Sequence, residues 1–337
     1  MAIMTRALGH TGTNVTILGY GAMELRGRPR GPEITDEDAG RLLNAVLDGG
    51  INLIDTSPDY GRSEELIGRY LGHRRDEFFL ASKCGCPLNP PADATPPYQH
   101  DYTPANVRAD VEQSLRRLGT DRLDLVQLHS PPTAVFASDA VFDALDTLVS
   151  DDCIAAYGVS VETSDQALTA IARPGVASVQ IILNAFRRKP LDRVLPAAAA
   201  AGVGIIARVP LASGLLSGRY TKNTTFAADD HRSYNAHGEA FDVGETFSGV
   251  GLEAGADAAA EFASITGGLP GGTPAQWALR WVMQQPGVTT VIPGARSVAQ
   301  ARQNAEAASL PPLPQAELGA IEGLYDKYFR ATVHDRW

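Results

Sequence analysis

The chain has 337 residues, 44% of them hydrophobic and 20% charged, which is enough apolar material for a large core and argues against a disordered or fibrous protein. Asp and Glu outnumber Lys and Arg by 39 to 29, a net charge of −10 that disfavours nucleic acid and anionic membrane surfaces as partners. Three cysteines, Cys84, Cys86 and Cys153, are an odd number in a chain too long to need stapling; with an opening that lacks the apolar run of a signal peptide, they suit a reducing cytoplasm.

In chain order, short apolar runs at residues 16–19, 51–55, 78–83, 123–129, 155–159, 179–183, 204–208 and 289–293 read as strands. Amphipathic stretches at 36–47, 64–71, 104–118, 139–149, 164–172, 191–200, 274–285 and 297–307 read as the helices between and after them. Thr103-Pro104 and Thr273-Pro274 have the form of a cap followed by a first-turn proline. Eight strand–helix units fit a doubly wound open sheet or a closed (β/α)8 barrel, and length favours the barrel, typically roughly 250 residues, with the surplus spent on additions. The expected fold is therefore α/β, a single (β/α)8 TIM-barrel domain over residues 1–337, with an N-terminal hairpin, a long loop after strand seven and a C-terminal helix. That loop, residues 221–251, has neither helical nor strand period, and residues 87–97 form a proline-rich loop after strand three. The most apolar window, 194–216, is interrupted by Pro196, Arg208 and Pro210 and is not a membrane span.

Polar residues close several of the apolar runs. Asp55 ends the second strand, Lys83 the third and His129 the fourth, so a barrel gathers all three at its carboxyl-end mouth, and one loop brings Tyr60 into the same space. A phenol with a pKa of about 10 donates a proton poorly at neutral pH unless a nearby cation eases its release. Lys83 is that cation, Asp55 its counter-ion, and His129 orients a substrate oxygen or shares a proton. This set suits carbonyl reduction, in which carbon receives hydride and oxygen a proton. No metal is expected, because Cys84-x-Cys86 has no second pair or nearby histidine in the sequence.

The runs Asp55-Thr-Ser-Pro-Asp-Tyr60-Gly-Arg-Ser-Glu64, Ala81-Ser-Lys83-Cys, Leu125-Val-Gln-Leu-His129-Ser and Ile292-Pro-Gly294-Ala-Arg296 resemble those of the aldo-keto reductases. The likeness extends from the hairpin-like opening Leu8-Gly-His-Thr-Gly to the C-terminal helix, with the motifs in the same order. It implies a barrel enzyme that uses NADP(H) or NAD(H) without a Rossmann domain and interconverts a small carbonyl and its alcohol. Carried over, Tyr60 is the general acid, Asp55 pairs with Lys83 and His129 orients the carbonyl; Met23 and Glu24, at the end of strand one, reach the same mouth and line the cofactor and substrate space, Met23 beside Tyr60 and His129.

On the cofactor side, Gly294, Ala295 and Arg296 lead from strand eight into a helix whose free N–H groups receive an anion. The guanidinium of Arg296 suits a 2′-phosphate, which favours NADP(H) over NAD(H), and Gln300 and Asn304 resemble the family's adenine contacts. Ser160 and Gln180 resemble the carboxamide-binding positions, although Val161 stands where many members have asparagine. Arg208 stands where many have an aromatic ring, and a planar guanidinium can stack in its place. Pro210, Leu211, Ser213, Gly214 and Leu216 would wrap the pyrophosphate, while Gly21, Ala22, Met23 and Asp55 line the nicotinamide side. A rival reading is a redox-sensing, cofactor-binding regulatory subunit resembling the potassium-channel β subunits. The intact tetrad and the absence of an added interaction domain favour the enzyme. Substrate identity and oligomeric state are not written in these residues.

Overall fold

A computed structural model describes residues 2–28, 31–87 and 100–337. A short antiparallel hairpin, β1 (Thr5–Ala7) and β2 (Asn14–Thr16), precedes eight parallel strands. These are β3 (Tyr20–Gly21), β4 (Leu53–Asp55), β5 (Phe79–Cys84), β6 (Leu125–His129), β7 (Tyr157–Ser160), β8 (Val176–Ile182), β9 (Gly204–Arg208) and β10 (Thr290–Val291), each paired with its sequence neighbour. The ring closes where Leu18 bridges Val291 in parallel and Gly19 N–H donates to the Val291 carbonyl at 2.8 Å. The architecture is a (β/α)8 barrel.

The expected first strand, residues 16–19, is divided between two jobs. Residues 14–16 pair with the hairpin, and barrel pairing begins at Leu18. β8 starts at Val176, three residues before the expected 179, because the buried Ser178 interrupts the apolar run but not the pairing. Most of the proline-rich loop expected over 87–97 lies outside the described residues.

Helices fall close to their expected places because their ends are chemically marked. The helix Pro104–Leu118 opens with the Thr103 hydroxyl accepting from Asn106 N–H and closes at Gly119, whose φ of 64° suits a residue without a Cβ. Its buried Val107, Val111, Ser114 and Leu118 recur at helical spacing and face the barrel. Thr273 and Gln276 form a reciprocal capping box at the start of the helix Pro274–Met283. The helix Leu252–Thr266 was not anticipated; it packs against Gln315–Tyr328, outside the eight-fold pattern. The loop expected over 221–251 is not wholly irregular, since His231–Tyr234 forms a helical turn.

Side chains alternate across each strand, so every second residue points into the barrel. Leu53, Phe79, Ala81, Leu125, Ile206 and Ile292 meet Leu8 and Val15 of the hairpin in a cluster separate from the main core. They make an apolar floor. Two residues further along the same strands the inward positions become polar: Asp55 above Leu53, Lys83 above Ala81, Gln127 above Leu125 and Arg208 above Ile206. Fold and chemistry are therefore stacked along one axis.

Candidate active site

Asp55 and Lys83 are 2% and 1% exposed, so their charges survive only by satisfying each other. Lys83 Nζ donates to Asp55 Oδ1 at 2.6 Å and to the Thr56 carbonyl at 2.9 Å. The other carboxylate oxygen accepts from Gln127 Nε2 at 2.9 Å and Gln180 Nε2 at 2.8 Å, and Gln180 also donates to Gln127 Oε1 at 3.1 Å. Both carboxylate oxygens are thus engaged, by side chains from β5, β6 and β8. Gln127 was not picked out from the sequence, although its inward phase, two residues before His129, marks it.

Tyr60 sits over this pair. The loop after β4 is fixed by Thr56 N–H donating to the Ala81 carbonyl at 2.8 Å and by Tyr60 N–H donating to Ser57 O at 3.0 Å. The Lys83 ammonium lies 4.9 Å from the centre of the Tyr60 ring. His129 meets that ring edge-on, with centroids 6.0 Å apart and an interplanar angle of 86°. All four residues expected to act together are brought together.

Their acidities differ from the simple expectation. Burial, joined by the charges of Asp55 and Glu245, lifts the Tyr60 phenol above its ordinary value, against the opposing pull of Lys83 and Arg208. Lys83 eases proton release relative to the same pocket without it, but does not bring the phenol below its solution value. Burial works to lower the pKa of Lys83, yet its partners, Asp55 foremost, outweigh burial and raise it. Tyr60 is therefore protonated at neutral pH, as a proton donor must be.

Around His129 the sequence reading needs correction, because Cys86 has a histidine beside it in space. Its Sγ lies 3.2 Å from His129 Nδ1, while Ser57 Oγ is 3.3 Å from the same nitrogen. Tyr102 OH donates to the His129 carbonyl, and His100 Nδ1 lies 2.9 Å from that hydroxyl. Burial, then the charges of Asp59 and Asp110, push the Cys86 thiol well above its usual range, which makes it a weak nucleophile.

The two arginines expected to face a cofactor are both already paired. Arg208, 7% exposed, donates to Glu162 Oε1 and the Val161 carbonyl at 2.9 and 3.0 Å and also pairs with Glu245, while its Nε is buried without a protein partner. Burial opposes its charge, but Glu162 and Glu245 outweigh this and raise its pKa. At the far side, Arg296 Nε pairs with Glu24, its N–H donates to Gln300 Oε1 at 2.7 Å, and Asn304 Nδ2 donates to the Gly294 carbonyl at 3.1 Å. Arg296 stands just before the Ser297 cap of the helix Val298–Ala307, which carries Gln300 and Asn304 four residues apart. Three side chains distant in sequence, Glu162, Glu245 and Glu24, thus pair with the two guanidiniums.

Between these ends the backbone is shaped for close approach. Gly21 leaves no slack: a Cβ there would meet the Ile292 carbonyl at 3.0 Å. After β9, Val209, Ala212 and Ser213 have φ of 53°, 48° and 53°, and Phe247 and Ser248 have 52° and 61°. The two strained segments are tied together, since Ser213 Oγ donates to the Glu245 carbonyl and accepts from Phe247 N–H, and Asn184 links Val209 O to Ser248 Oγ. The Gly214 and Leu216 amides both donate to Leu211 O and are internal to this turn. Leu216 and Ala22 are buried, Leu211 and Met23 are half-buried, and Pro210 and Ala295 are buried at the strand ends. Ser160 is opposite Gln180 in register, both buried at the mouth.

The sequence profile described as the aldo/keto reductase family matches residues 17–326. A D-threo-aldose 1-dehydrogenase from a Pseudomonas species is 33% identical over 236 residues, 63% of this chain and 70% of that protein. Among solved structures, the glycerol dehydrogenase AKR11B4 from Gluconobacter oxydans superposes with a TM-score of 0.80 at 29% identity, covering 97% of each chain. The holo form of aldo-keto reductase AKR11C1 from Bacillus halodurans superposes with a TM-score of 0.77 at 25% identity, covering 99% of this chain and all of the other.

Proposed function

This chain belongs to the aldo/keto reductase family, and on that premise we propose that it is an NADP-dependent oxidoreductase interconverting an aldehyde or ketone and its alcohol. One observation carries the reading: a buried, fully satisfied Lys83–Asp55 pair beneath a protonated Tyr60, with His129 across from it. His129 holds the substrate oxygen, Tyr60 Oη supplies its proton, and Lys83 stabilises the phenolate left behind. Asp55, held from two further sides by Gln127 and Gln180, keeps Lys83 charged and in place.

The residues fit a dinucleotide. Arg208 Nε is buried and unspent, and a capped helix N-terminus follows Gly294. When bound, the nicotinamide supplies hydride to the carbonyl carbon. Ser160 and Gln180 would meet its carboxamide, residues 210–216 the pyrophosphate, and Arg296, Gln300 and Asn304 the adenosine end, with the guanidinium selecting the 2′-phosphate. The names of the relatives point to small hydroxylated carbonyls or alcohols, such as aldoses or glycerol, as the substrate class.

The test follows loss of reduced-cofactor absorbance with NADPH and a panel of small aldehydes, ketones and aldoses. Tyr60→Phe should lower kcat by about 10²-fold or more while cofactor binding persists. A Tyr60→Phe variant as active as the parent would overturn the assignment.

A further inference from the structure

The proposed reaction leaves Cys86 without a task, and its setting resembles a ligand set. Cys86 follows β5, His129 ends β6 and His100 precedes the helix Pro104–Leu118, yet one donor atom from each lies within 4.8 Å of the other two. Cys86 is a free thiol, and its main chain is fixed by donation to Asp110 Oδ2 at 3.0 Å. His100 is held from the other side, its Nδ1 lying 3.2 Å from the His129 carbonyl oxygen. A tetrahedral zinc ion, bonded at about 2.3 Å to sulfur and about 2.0 Å to nitrogen, sets its ligand atoms about 3.5 Å apart. Cys86 Sγ and His129 Nδ1, at 3.2 Å, nearly meet that spacing already, and His100 offers the third donor within 4.8 Å of both. The negative charge of Asp59 reaches the same thiol and favours a cation there.

We propose that Cys86, His100 and His129 bind a single zinc ion at the rim of the barrel, with the fourth position left to water. On binding, the S–H bond breaks, its proton leaves to solvent and a sulfur–zinc bond forms; two neutral imidazoles give lone pairs, and nothing is oxidised or reduced. Ligation through Nδ1 leaves the proton of His129 on Nε2, so the ion would also fix the tautomer of that ring. The site stands on its own geometry and does not depend on the proposed reductase activity.

Cobalt(II) tests it, because thiolate ligation is visible by absorbance. The full-length protein, reduced and stripped with chelator, is titrated anaerobically with cobalt. The expected result is one equivalent bound, with a thiolate-to-cobalt charge-transfer band and the intense visible bands of four-coordination, both removed by adding zinc. Cys86→Ser should abolish the charge-transfer band, and His100→Ala should keep it. Each should weaken zinc at least about tenfold in competition with a chromophoric chelator. Circular dichroism of the metal-free variants checks that they fold, and His100→Ala, at a half-buried edge, carries the test if the serine variant does not. Absence of the thiolate band in the parent, or full zinc affinity in a folded variant, overturns the proposal.

Discussion

Single residues in this barrel are set by what they must neutralise. Asp55 and Lys83 were legible from sequence because a charge that ends a largely apolar strand, as after Ile51-Asn-Leu-Ile or Phe78-Phe-Leu-Ala-Ser, has few reasons to be there. Their keepers were not: Gln127 is unremarkable until its inward phase is counted, and Glu162 and Glu245 reach Arg208 from distant positions that no local pattern connects. Asp110 is a further case. Its Oδ1 is buried without a partner, and burial, against the Cys86 N–H bond, raises its carboxyl to about 7. A carboxyl whose pKa is higher folded than unfolded, where it is about 3.9, favours the native state at low pH. That contribution is whole below pH 4 and is lost as pH rises through about 7. Asp110→Asn keeps an acceptor for Cys86 N–H but cannot ionise. Denaturant titrations at a series of pH values should find the variant gaining on the parent between about pH 4 and about pH 8, with an unchanging difference as the contrary result.

Elements with marked ends were easiest to read. The helix expected over 104–118 is observed over those same residues because Thr103, Pro104 and Gly119 punctuate it. Leu252–Thr266 escaped because six of its fifteen residues are alanine, leaving little contrast between its faces. Strand limits moved by up to a few residues, since an inward Ser178 or a hairpin shared with β2 breaks the apolar run without breaking the sheet. The segment from Gly294 into the helix Val298–Ala307 has a consequence for cofactor choice, because Glu24 occupies the guanidinium of Arg296. Glu24→Gln should free that guanidinium and lower KM for NADPH several-fold, with little change for NADH. Arg296→Ala should cut the NADPH-to-NADH ratio of kcat/KM by about 10-fold or more, the worth of one hydrogen bond to a charged group. Steady-state kinetics with both cofactors decide the matter, and a ratio unmoved by either change would place the selectivity elsewhere.

Across the whole molecule, the parts least legible in sequence are those that fold back over the mouth. Trp337 is 7% exposed, its Nε1 donates to Asp242 Oδ1 at 2.9 Å, and its ring packs on Gly249 and under the Arg187 guanidinium 4.2 Å away. The tail thereby braces residues 241–249, which in turn brace Arg208 through Glu245. Sequence alone could not choose between a tail that covers the mouth and one that serves an interface, because the contacts span almost a hundred positions. Trp337→Ala removes a buried ring and should cost about 3 kcal/mol in stability. It should also speed proteolytic cleavage within residues 221–249 before global unfolding, as read by limited digestion and mass spectrometry; cleavage at the parental rate would uncouple the tail from that loop. Among the described residues no helix is long and apolar enough to cross a membrane.

The stacking of an apolar floor beneath a polar rim also bears on how such a protein changes over generations. Substitutions at Leu53, Phe79, Leu125 or Ile206 strike the floor that the barrel needs in order to close, whereas the half-buried Met23 and Leu211 lie beyond the ends of their strands at the opposite end. Heritable novelty in what is recognised can therefore accumulate at one end of the barrel with little harm to its ability to fold. A mutational library confined to the loops that follow the strands should yield mostly folded proteins with altered preferences, and one confined to the floor mostly insoluble ones.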